Sequence, residues 1–196
     1  MPAVREAEKT DVRAVADALT LAFADDPLMG YMLPRAAKRP KQMTSFFRND
    51  IRRALSKGIV YTTRADEIAG GAIWISPGRW KTGGVELIGQ VPVLLAFGRD
   101  TRRALDVLGR VEKIHPKEPH WYLAVLGTRP AQQGHGIGSA LMHPVLDLCD
   151  KDGIAAYLES SKEANIPFYR RHGFEVTGEV AMKDGPSVWP MWRDPR

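Results

Sequence analysis

Three alternating glycines form the part of this sequence whose chemistry is easiest to state. The segment Gln133-Gly-His-Gly-Ile-Gly138 follows an apolar run typical of a strand and precedes a helical pattern. Glycines leave the backbone N–H groups of such a loop free to converge on an anion at the positive end of the helix dipole. The segment therefore predicts a phosphate or pyrophosphate site. It fits the dinucleotide-binding fingerprint poorly, and it lacks the Gly-Lys-Ser/Thr that closes a P-loop.

Cys149 is the only cysteine among 196 residues. A single thiol excludes an intramolecular disulfide and a metal site built on paired thiolates. Cys149 lies on the apolar side of a predicted helix, which favours a buried and inert thiol over a nucleophile. We expect no metal cofactor.

The chain carries a formal net charge of +5. A basic balance can indicate nucleic acid or an anionic cofactor as partner, but its arginine pairs are interspersed with acids. A solvated basic surface is the simpler interpretation, and no nucleic-acid partner is expected. The N-terminus lacks an apolar signal core, and no run reaches transmembrane length. We therefore expect a cytoplasmic protein that does not bind membranes.

Helical and extended patterns alternate along the chain and must position these residues. Extended patterns cover 4–7, 59–63, 68–75, 121–128, 155–158, 174–180 and 187–193. Helical patterns cover the stretch after Thr10 or Asp11, 38–57, two or three short pieces of 85–113, 136–152 and 164–172. Pro144 lies inside one helix and predicts a kink or a very well-packed position. The class is mixed α/β with a partly antiparallel sheet.

Two motifs in order resemble the Gcn5-related N-acetyltransferase (GNAT) family. Gln133 to Gly138 matches the signature Q/R-x-x-G-x-G/A, and Asn165 to Phe174 resembles the second hallmark N-x-x-x-Y-x-x-x-G-F. The resemblance implies a mostly antiparallel twisted sheet of about seven strands, flanked by helices, with splayed central strands. It implies a single domain over 1–196, with an acceptor-side half at 1–115 and an acetyl-CoA-binding, catalytic half at 116–196.

The resemblance is dense from Lys117 to the C-terminus and thin before it. Further similarity, to the puromycin N-acetyltransferases within the family, rests on Lys117-Glu-Pro119, Trp121, Leu158-Glu159, Pro167-Phe-Tyr169 and Gly185-Pro186. In this family the first half shapes the acceptor pocket, so the weaker half is the one that would identify the substrate. The expected partner is a small-molecule amine, puromycin-like or another antibiotic or metabolite, and the expected state is a monomer or homodimer.

The resemblance also implies where acetyl-CoA binds. The backbone of the central strand should pair with the pantetheine arm, and the glycine segment should hold the pyrophosphate. His135 stands where relatives often carry a cation. Asn165 should contact the cofactor arm or cap a helix, and Phe168 should pack on the cofactor or only in the core. The implied cofactor residues are Leu126, Gly127, Thr128, Gln133, Gly134, His135, Gly136, Ile137, Gly138, Ser139, Asn165, Phe168 and Tyr169.

Tyr169 resembles the general acid of the family, which protonates the departing thiolate. Its alternative is a core aromatic residue. Glu159 directly follows a predicted strand and is our candidate for the general base that an ammonium acceptor requires; its alternative is a surface carboxylate or substrate anchor. Candidate acceptor-binding residues are Asp25, Tyr31, Trp74 and His120. Two other functions stay open at this point: an acyl-CoA sensor without turnover, and a transferase acting on protein or peptide amines.

Overall fold

The computed structural model describes residues 2–64, 67–80 and 95–196. An eight-stranded sheet forms its centre, in the order β1-β2-β3-β4-β5-β8-β6 with β7 paired to β8. The strands are β1 Val4–Glu6, β2 Gly58–Thr63, β3 Gly70–Ile75, β4 His120–Thr128, β5 Ala155–Ser160, β6 Glu175–Val176, β7 Val180–Ala181 and β8 Ser187–Arg193. Within the described residues, β4 and β5 form the parallel pair and the other pairings are antiparallel. The mixed, mostly antiparallel sheet is therefore confirmed.

The sheet has eight strands rather than about seven because one predicted strand is divided. The stretch 174–180 contains two short strands, β6 and β7, which pair with different parts of β8. Between them the backbone leaves the ladder at Thr177, whose N–H donates to the carbonyl of Pro190. Strands β2 and β3 pair antiparallel, with Val60 opposite Ile73.

Helices cover both faces of the sheet. They are α1 Val12–Ala22, α2 Pro27–Met32, α3 Arg39–Lys57, α4 Thr101–Ile114, α5 Ile137–Asp152 and α6 Ile166–Arg171. Helices α1 and α3 pack on one face, hereafter the α1 face, and share a core with Ile73 and Val125. Helices α5 and α6 pack on the other, the α5 face, and share a core with Trp74 and Leu123. None of the helices in the described part has the length and apolar character needed to cross a bilayer.

Helix α2 was not predicted, because Asp26 and Pro27 at its start are residue types that also occur where a helix ends. Asp26 has an extended backbone, and its Oδ1 accepts the N–H of Met29 at 2.9 Å. Pro27 occupies the first turn, where its missing N–H costs nothing. The residues that close α1 therefore also begin α2. Helix α5 runs as one element through Pro144, which is half-buried. The part of the predicted 85–113 helices that falls on 85–94 lies outside the described residues.

Strands β4 and β5 separate halfway along their length. Their parallel pairing runs from His120 opposite Ala155 to Leu123 opposite Leu158 and then stops. On the other edge of β4 the register with β3 shifts, since Ile73 faces Val125 while Trp74 faces Leu123. Ala124 is thus the extra residue of a β-bulge, and both Ala124 and Val125 contact the α1-face core. The expected splay of the central strands is confirmed.

Candidate active site

The splay leaves one edge of β4 open. Leu126, Gly127 and Thr128 face Ala72, Gly71 and Gly70 of β3 on one side. No described strand pairs with their other side, where β5 has diverged. An open strand edge can accept an extended ligand through its main-chain groups. Gly127 also brings α1 close, because a Cβ there would lie about 3 Å from the side chains of Leu19, Ala22 and Phe23. The open edge is therefore backed by a helix.

The glycine segment continues from this edge into α5. Gln133 to Gly136 are exposed, and the Gln133 amide donates to the Thr128 carbonyl at 3.2 Å. Gly134 and Gly136 have φ of 81° and 76°, which side-chain-bearing residues rarely adopt. Gly138 lies so close to Phe168 that a Cβ would approach its ring to 3.2 Å. An exposed loop of bare backbone at the start of a long helix fits a pyrophosphate. Only the backbone of Ile137 can contribute, because its side chain is buried.

A substitution in this loop should weaken coenzyme A binding selectively. Gly136→Ala forces an alanine into a left-handed conformation and shifts the N–H groups that face the anion, at a stability cost of about 1 kcal/mol. We expect the dissociation constant for coenzyme A, measured by calorimetry, to rise about tenfold, as loss of one charge-assisted hydrogen bond would cause. Gly153→Ala is the matched control. It has a similar φ of 67° at the far end of α5 and should lose similar stability at unchanged affinity.

The neighbouring α6 supplies side chains to the same region. Asn165 is exposed and occupies the N-cap position of α6, but its side chain makes no capping hydrogen bond there. Phe168 packs on Gly138 and lies with its ring centroid 5.2 Å from that of Tyr169. Ser139 Oγ lies 3.0 Å from Nε2 of His172, which was not predicted and which links α5 to α6. The cofactor residues proposed from sequence therefore converge on one corner of the molecule.

Tyr169 lies on the inner side of α6, within the α5-face core. It is 8% exposed and packs against Phe174. Burial, followed by the charge of nearby Asp26, raises the pKa of the Tyr169 phenol above its usual value. Its hydroxyl therefore stays protonated at any physiological pH, which is the state that a proton donor needs.

Two contacts connect the α1–α2 turn to the end of β5, where the strands part. Asp26 Oδ2 accepts a hydrogen bond from the Ser161 hydroxyl at 2.5 Å. Asp25 pairs with Lys162 at 2.8 Å, and this contact lowers the pKa of the Asp25 carboxyl. Asp25 was predicted to bind the acceptor, but its carboxylate already has a cationic partner in this structure. Asp26 is the more buried of the two, and its charge is the one that acts on the Tyr169 phenol.

Glu159 is not a surface carboxylate. Its neighbour Leu158 packs with Tyr169 on the α5 face, so Glu159 points to the α1 face. Its side chain is 8% exposed, and Oε1 lies 3.5 Å from Nδ1 of His115. After burial, the charge of Glu159 is the next cause that raises the pKa of the Tyr122 and Tyr157 hydroxyls. Glu159 and Tyr169 therefore lie on opposite faces of the sheet.

Two residues predicted to bind the acceptor do not reach a cleft. Trp74 is fully buried against α5 because its position on β3 points to the α5 face. His120 is 2% exposed and lies among His115, Tyr157 and Trp192. Both side chains are therefore core residues in this structure, which does not support their assignment to an exposed acceptor pocket.

Tyr31 remains at the rim of the α1 face. Its hydroxyl donates to the carbonyl of Lys183 at 2.7 Å, and the guanidinium of Arg103 lies 5.6 Å from its ring centroid. Gly185 packs against the same ring, where a Cβ would clash. Tyr31 thus connects α2 with α4 and with the loop before β8. Its ring is half-buried at the surface of α2.

Sequence reasoning missed His115 and the two tyrosines that surround Glu159. The period of two along β5 places Tyr157 on the same face as Glu159, so that neighbour could have been found. His115 lies in the connection after α4, and no periodicity predicts where a connection points. Its ring stacks on Trp80, with 3.8 Å between centroids.

Comparison with known proteins agrees with this geometry. The model of the acetyltransferase (GNAT) family matches residues 34–174. An uncharacterized N-acetyltransferase of Schizosaccharomyces pombe is 27% identical over 184 residues, covering 88% of this chain and 74% of the relative. Among solved structures, a histone acetyltransferase HPA2 and related acetyltransferase from Corynebacterium glutamicum superposes with a TM-score of 0.74 at 25% identity, covering 100% of this chain and 97% of that one.

A second solved structure was determined with coenzyme A. The PaiA N-acetyltransferase from Thermoplasma acidophilum superposes with a TM-score of 0.60 at 14% identity, covering 99% of both chains. At that identity the similarity shows the fold alone. The narrower resemblance to puromycin N-acetyltransferases is not supported by these comparisons and stays a prediction.

Proposed function

Because this chain belongs to the acetyltransferase (GNAT) family, we propose that it transfers an acetyl group from acetyl-CoA to a primary amine by direct attack. The observation that carries the proposal is the placement of Tyr169 and Glu159 on opposite faces of the point where β4 and β5 part. A thioester bound between the two strands would then have the Tyr169 phenol on one side as the proton donor. The buried Glu159 carboxylate would lie on the other side.

Acetyl-CoA supplies the acyl group and the thiolate leaving group. We assign its pyrophosphate to the exposed N–H groups from Gln133 to Ser139 and its pantetheine arm to the open edge at Leu126, Gly127 and Thr128. The Leu126 N–H is our candidate donor to the thioester carbonyl. Asn165 and Phe168 border the same corner. These assignments predict that coenzyme A binds in the absence of any acceptor.

On the acceptor side, Glu159 takes a proton from the ammonium, since an aliphatic amine is mostly protonated at neutral pH. The amine nitrogen then forms a bond to the thioester carbonyl carbon, and the C–S bond breaks with its electron pair on sulfur. Tyr169 donates its phenolic proton to that sulfur. As the amide forms, nitrogen loses a second proton, which passes to the Tyr169 phenolate and restores the phenol, so that coenzyme A leaves as the thiol. The raised pKa of the Tyr169 phenol keeps the proton that this step requires on its oxygen.

The cysteine should play no part in this chemistry. Cys149 is fully buried in α5, and burial raises the pKa of its thiol to about 12. We expect native protein to resist iodoacetamide and denatured protein to react fully, as peptide mass spectrometry can measure. Cys149→Ser should keep turnover within about twofold, apart from some loss of stability from a buried hydroxyl. Loss of turnover in a folded Cys149→Ser protein would favour an acyl-enzyme instead.

A panel of amines tests the proposal directly. Release of coenzyme A from acetyl-CoA can be followed with a thiol-reactive dye, which the buried Cys149 does not consume. The panel should contain puromycin, an arylalkylamine such as tryptamine, a polyamine such as spermidine, and a short peptide with a free α-amino group. We expect amine-dependent release above the rate without amine, with a small amine the best acceptor.

The other outcomes of this panel separate the alternatives. Peptide as the best acceptor would indicate a protein or peptide transferase. Tight binding of acetyl-CoA without release for any amine would contradict the enzyme and favour an acyl-CoA sensor. Acetylation of puromycin at a rate far above the other amines would support the narrower resemblance in the C-terminal half.

A further inference from the structure

We propose that His115 is the second acceptor of the amine proton, behind Glu159, and that His120 fixes the tautomer that makes this possible. The inference rests on the proposed role of Glu159 as general base. It is carried by a line of contacts on the α1 face that runs from the Glu118 carbonyl through both imidazoles to the Glu159 carboxylate. The three side chains are almost completely buried.

The direction of the line follows from its first contact. His120 Nδ1 lies 2.7 Å from the carbonyl oxygen of Glu118. A carbonyl oxygen can only accept, so Nδ1 carries the hydrogen, and Nε2 of the neutral ring presents a lone pair. That nitrogen lies 3.0 Å from Nε2 of His115. His115 Nε2 must therefore be the donor of this second hydrogen bond.

The consequence appears at the other nitrogen of His115. With the hydrogen on Nε2, a neutral His115 presents the lone pair of Nδ1 to Glu159 Oε1, 3.5 Å away. Oε1 is buried and has no hydrogen-bond partner of ordinary geometry among the described residues, although the Tyr122 and Tyr157 hydroxyls lie near the same carboxylate. The lone pairs of Nδ1 and Oε1 therefore face one another among buried side chains, where an unsatisfied acceptor costs free energy. One proton placed between them would satisfy both groups.

The surroundings contain few other groups that could supply this proton. Burial is the largest cause that lowers the pKa of His120, and the charge of His115 lowers it further, so both rings do not become cations together. The Tyr122 and Tyr157 hydroxyls also face Glu159 and can donate hydrogen bonds to it, but burial, its charge and that hydrogen bond raise their pKa values, so both hydroxyls keep their protons. Asp50 of α3 faces Tyr122, and burial raises the pKa of its carboxyl. Trp80 covers the other side of the His115 ring.

The step is a simple transfer. The ammonium N–H bond breaks, and its proton reaches Glu159 while the electron pair stays on nitrogen for the attack. An O–H···Nδ1 hydrogen bond forms toward His115, and the proton is then shared with Nδ1, which leaves His115 as a cation paired with the Glu159 carboxylate. His120 Nε2 accepts a hydrogen bond from that cation. His115 is thus a proton acceptor, and His120 is a positioning residue.

Tautomers give a readout that does not depend on activity. In ring-¹⁵N-labelled free protein, long-range ¹H–¹⁵N spectra distinguish Nδ1–H from Nε2–H rings, and the five histidines can be assigned in the unsubstituted chain. We expect Nδ1–H for His120 and Nε2–H for His115. The opposite tautomer at either ring would overturn the proposal. Because no turnover is measured, this result is independent of whether Glu159 is the base.

Variants test the role in turnover, using the panel amine with the fastest thiol release. His120→Phe keeps an aromatic ring but removes the acceptor for His115 Nε2, so His115 should change to the Nδ1–H tautomer and donate to Glu159. We expect kcat to fall about tenfold or more, as loss of one proton-transfer partner does. Trp192→Phe is the control: it alters a ring of the same cluster, 5.5 Å from His120, and should change neither the tautomers nor kcat.

His115→Phe separates proton transfer from packing. The phenyl ring keeps the stack on Trp80, while both nitrogens are lost. We expect the acid limb of the kcat–pH profile to move to lower pH, because a carboxylate alone holds a proton less tightly than an imidazole does. A merely structural role would instead lower kcat by one factor at every pH and leave the limb in place. Unchanged coenzyme A affinity in both variants would show that the cofactor site is intact.

Discussion

We expect Tyr169→Phe to lower kcat by about 10²-fold to 10⁴-fold and to leave the dissociation constant of coenzyme A unchanged. The expected size is that of a lost general acid, because the thiolate must then leave without a proton. Phenylalanine keeps the ring that packs against Phe168 and Phe174, so the fold and the cofactor corner should persist. Steady-state kinetics with the best panel amine give kcat, and calorimetry gives the affinity.

Tyr61→Phe provides the control for this variant. Tyr61 packs against the same α5-face core, and burial also raises the pKa of its hydroxyl, but it lies on β2. Turnover of Tyr61→Phe should match that of the parent chain. If Tyr169→Phe retained full kcat as well, Tyr169 would be a core aromatic residue, and the proton for the thiolate would have to come from solvent.

Glu159→Gln should reduce kcat/KM by about 10²-fold or more without unfolding the protein. The amide keeps the size of the carboxyl group, and its N–H can donate to the lone pair that His115 Nδ1 presents at this position. Packing is therefore preserved while the proton acceptor is lost. Kinetics over a range of pH check the assignment, since a variant without the base should recover rate at high pH, where more of the amine is already neutral.

Glu175→Gln is the matched control, because that carboxyl is exposed on β6 and its substitution should change nothing. Glu159→Gln with the turnover of the parent chain would remove the base role. It would leave the tautomers of His115 and His120 as they are. Reduced turnover in Glu159→Gln together with the opposite tautomer at His120 would keep the base and remove the second acceptor.

Local signals were enough to predict most of the sheet. Strand β8 has the predicted bounds, and the helix at the glycine segment begins where the loop chemistry requires. Gly173, which follows the predicted helix at 164–172, has the left-handed φ of 88° typical of a glycine at a helix end. The predictions that failed concerned side chains whose environment is determined by a neighbouring element. Trp74 was predicted to bind the acceptor, but the pleat of β3 directs its side chain into the core beneath α5.

The site was less predictable because its acidic residues contact residues that are distant in the sequence. Asp26 contacts Ser161 over a separation of 135 residues, and Asp25 contacts Lys162 over 137. Nothing in the local pattern of either segment indicates these partners. The environment of Glu159 depends on His115, which no motif includes, and on the direction in which a connection folds. Motifs therefore predicted the residues that we propose for acetyl-CoA, whereas the surroundings of Glu159 became visible only in the structure.

The bulge at Ala124 has a consequence for how this strand can change by insertion or deletion. Before the bulge, β4 pairs with β5 on one edge and with β3 on the other. After the bulge, β4 pairs with β3 alone. Removing one residue at the bulge would advance the rest of β4 by one place and move Thr128 into the position of Gly127. A Cβ there would lie about 3 Å from the side chains of Leu19, Ala22 and Phe23. Strand β4 therefore cannot lose even one residue without a clash, whereas loops elsewhere can lengthen at little energetic cost.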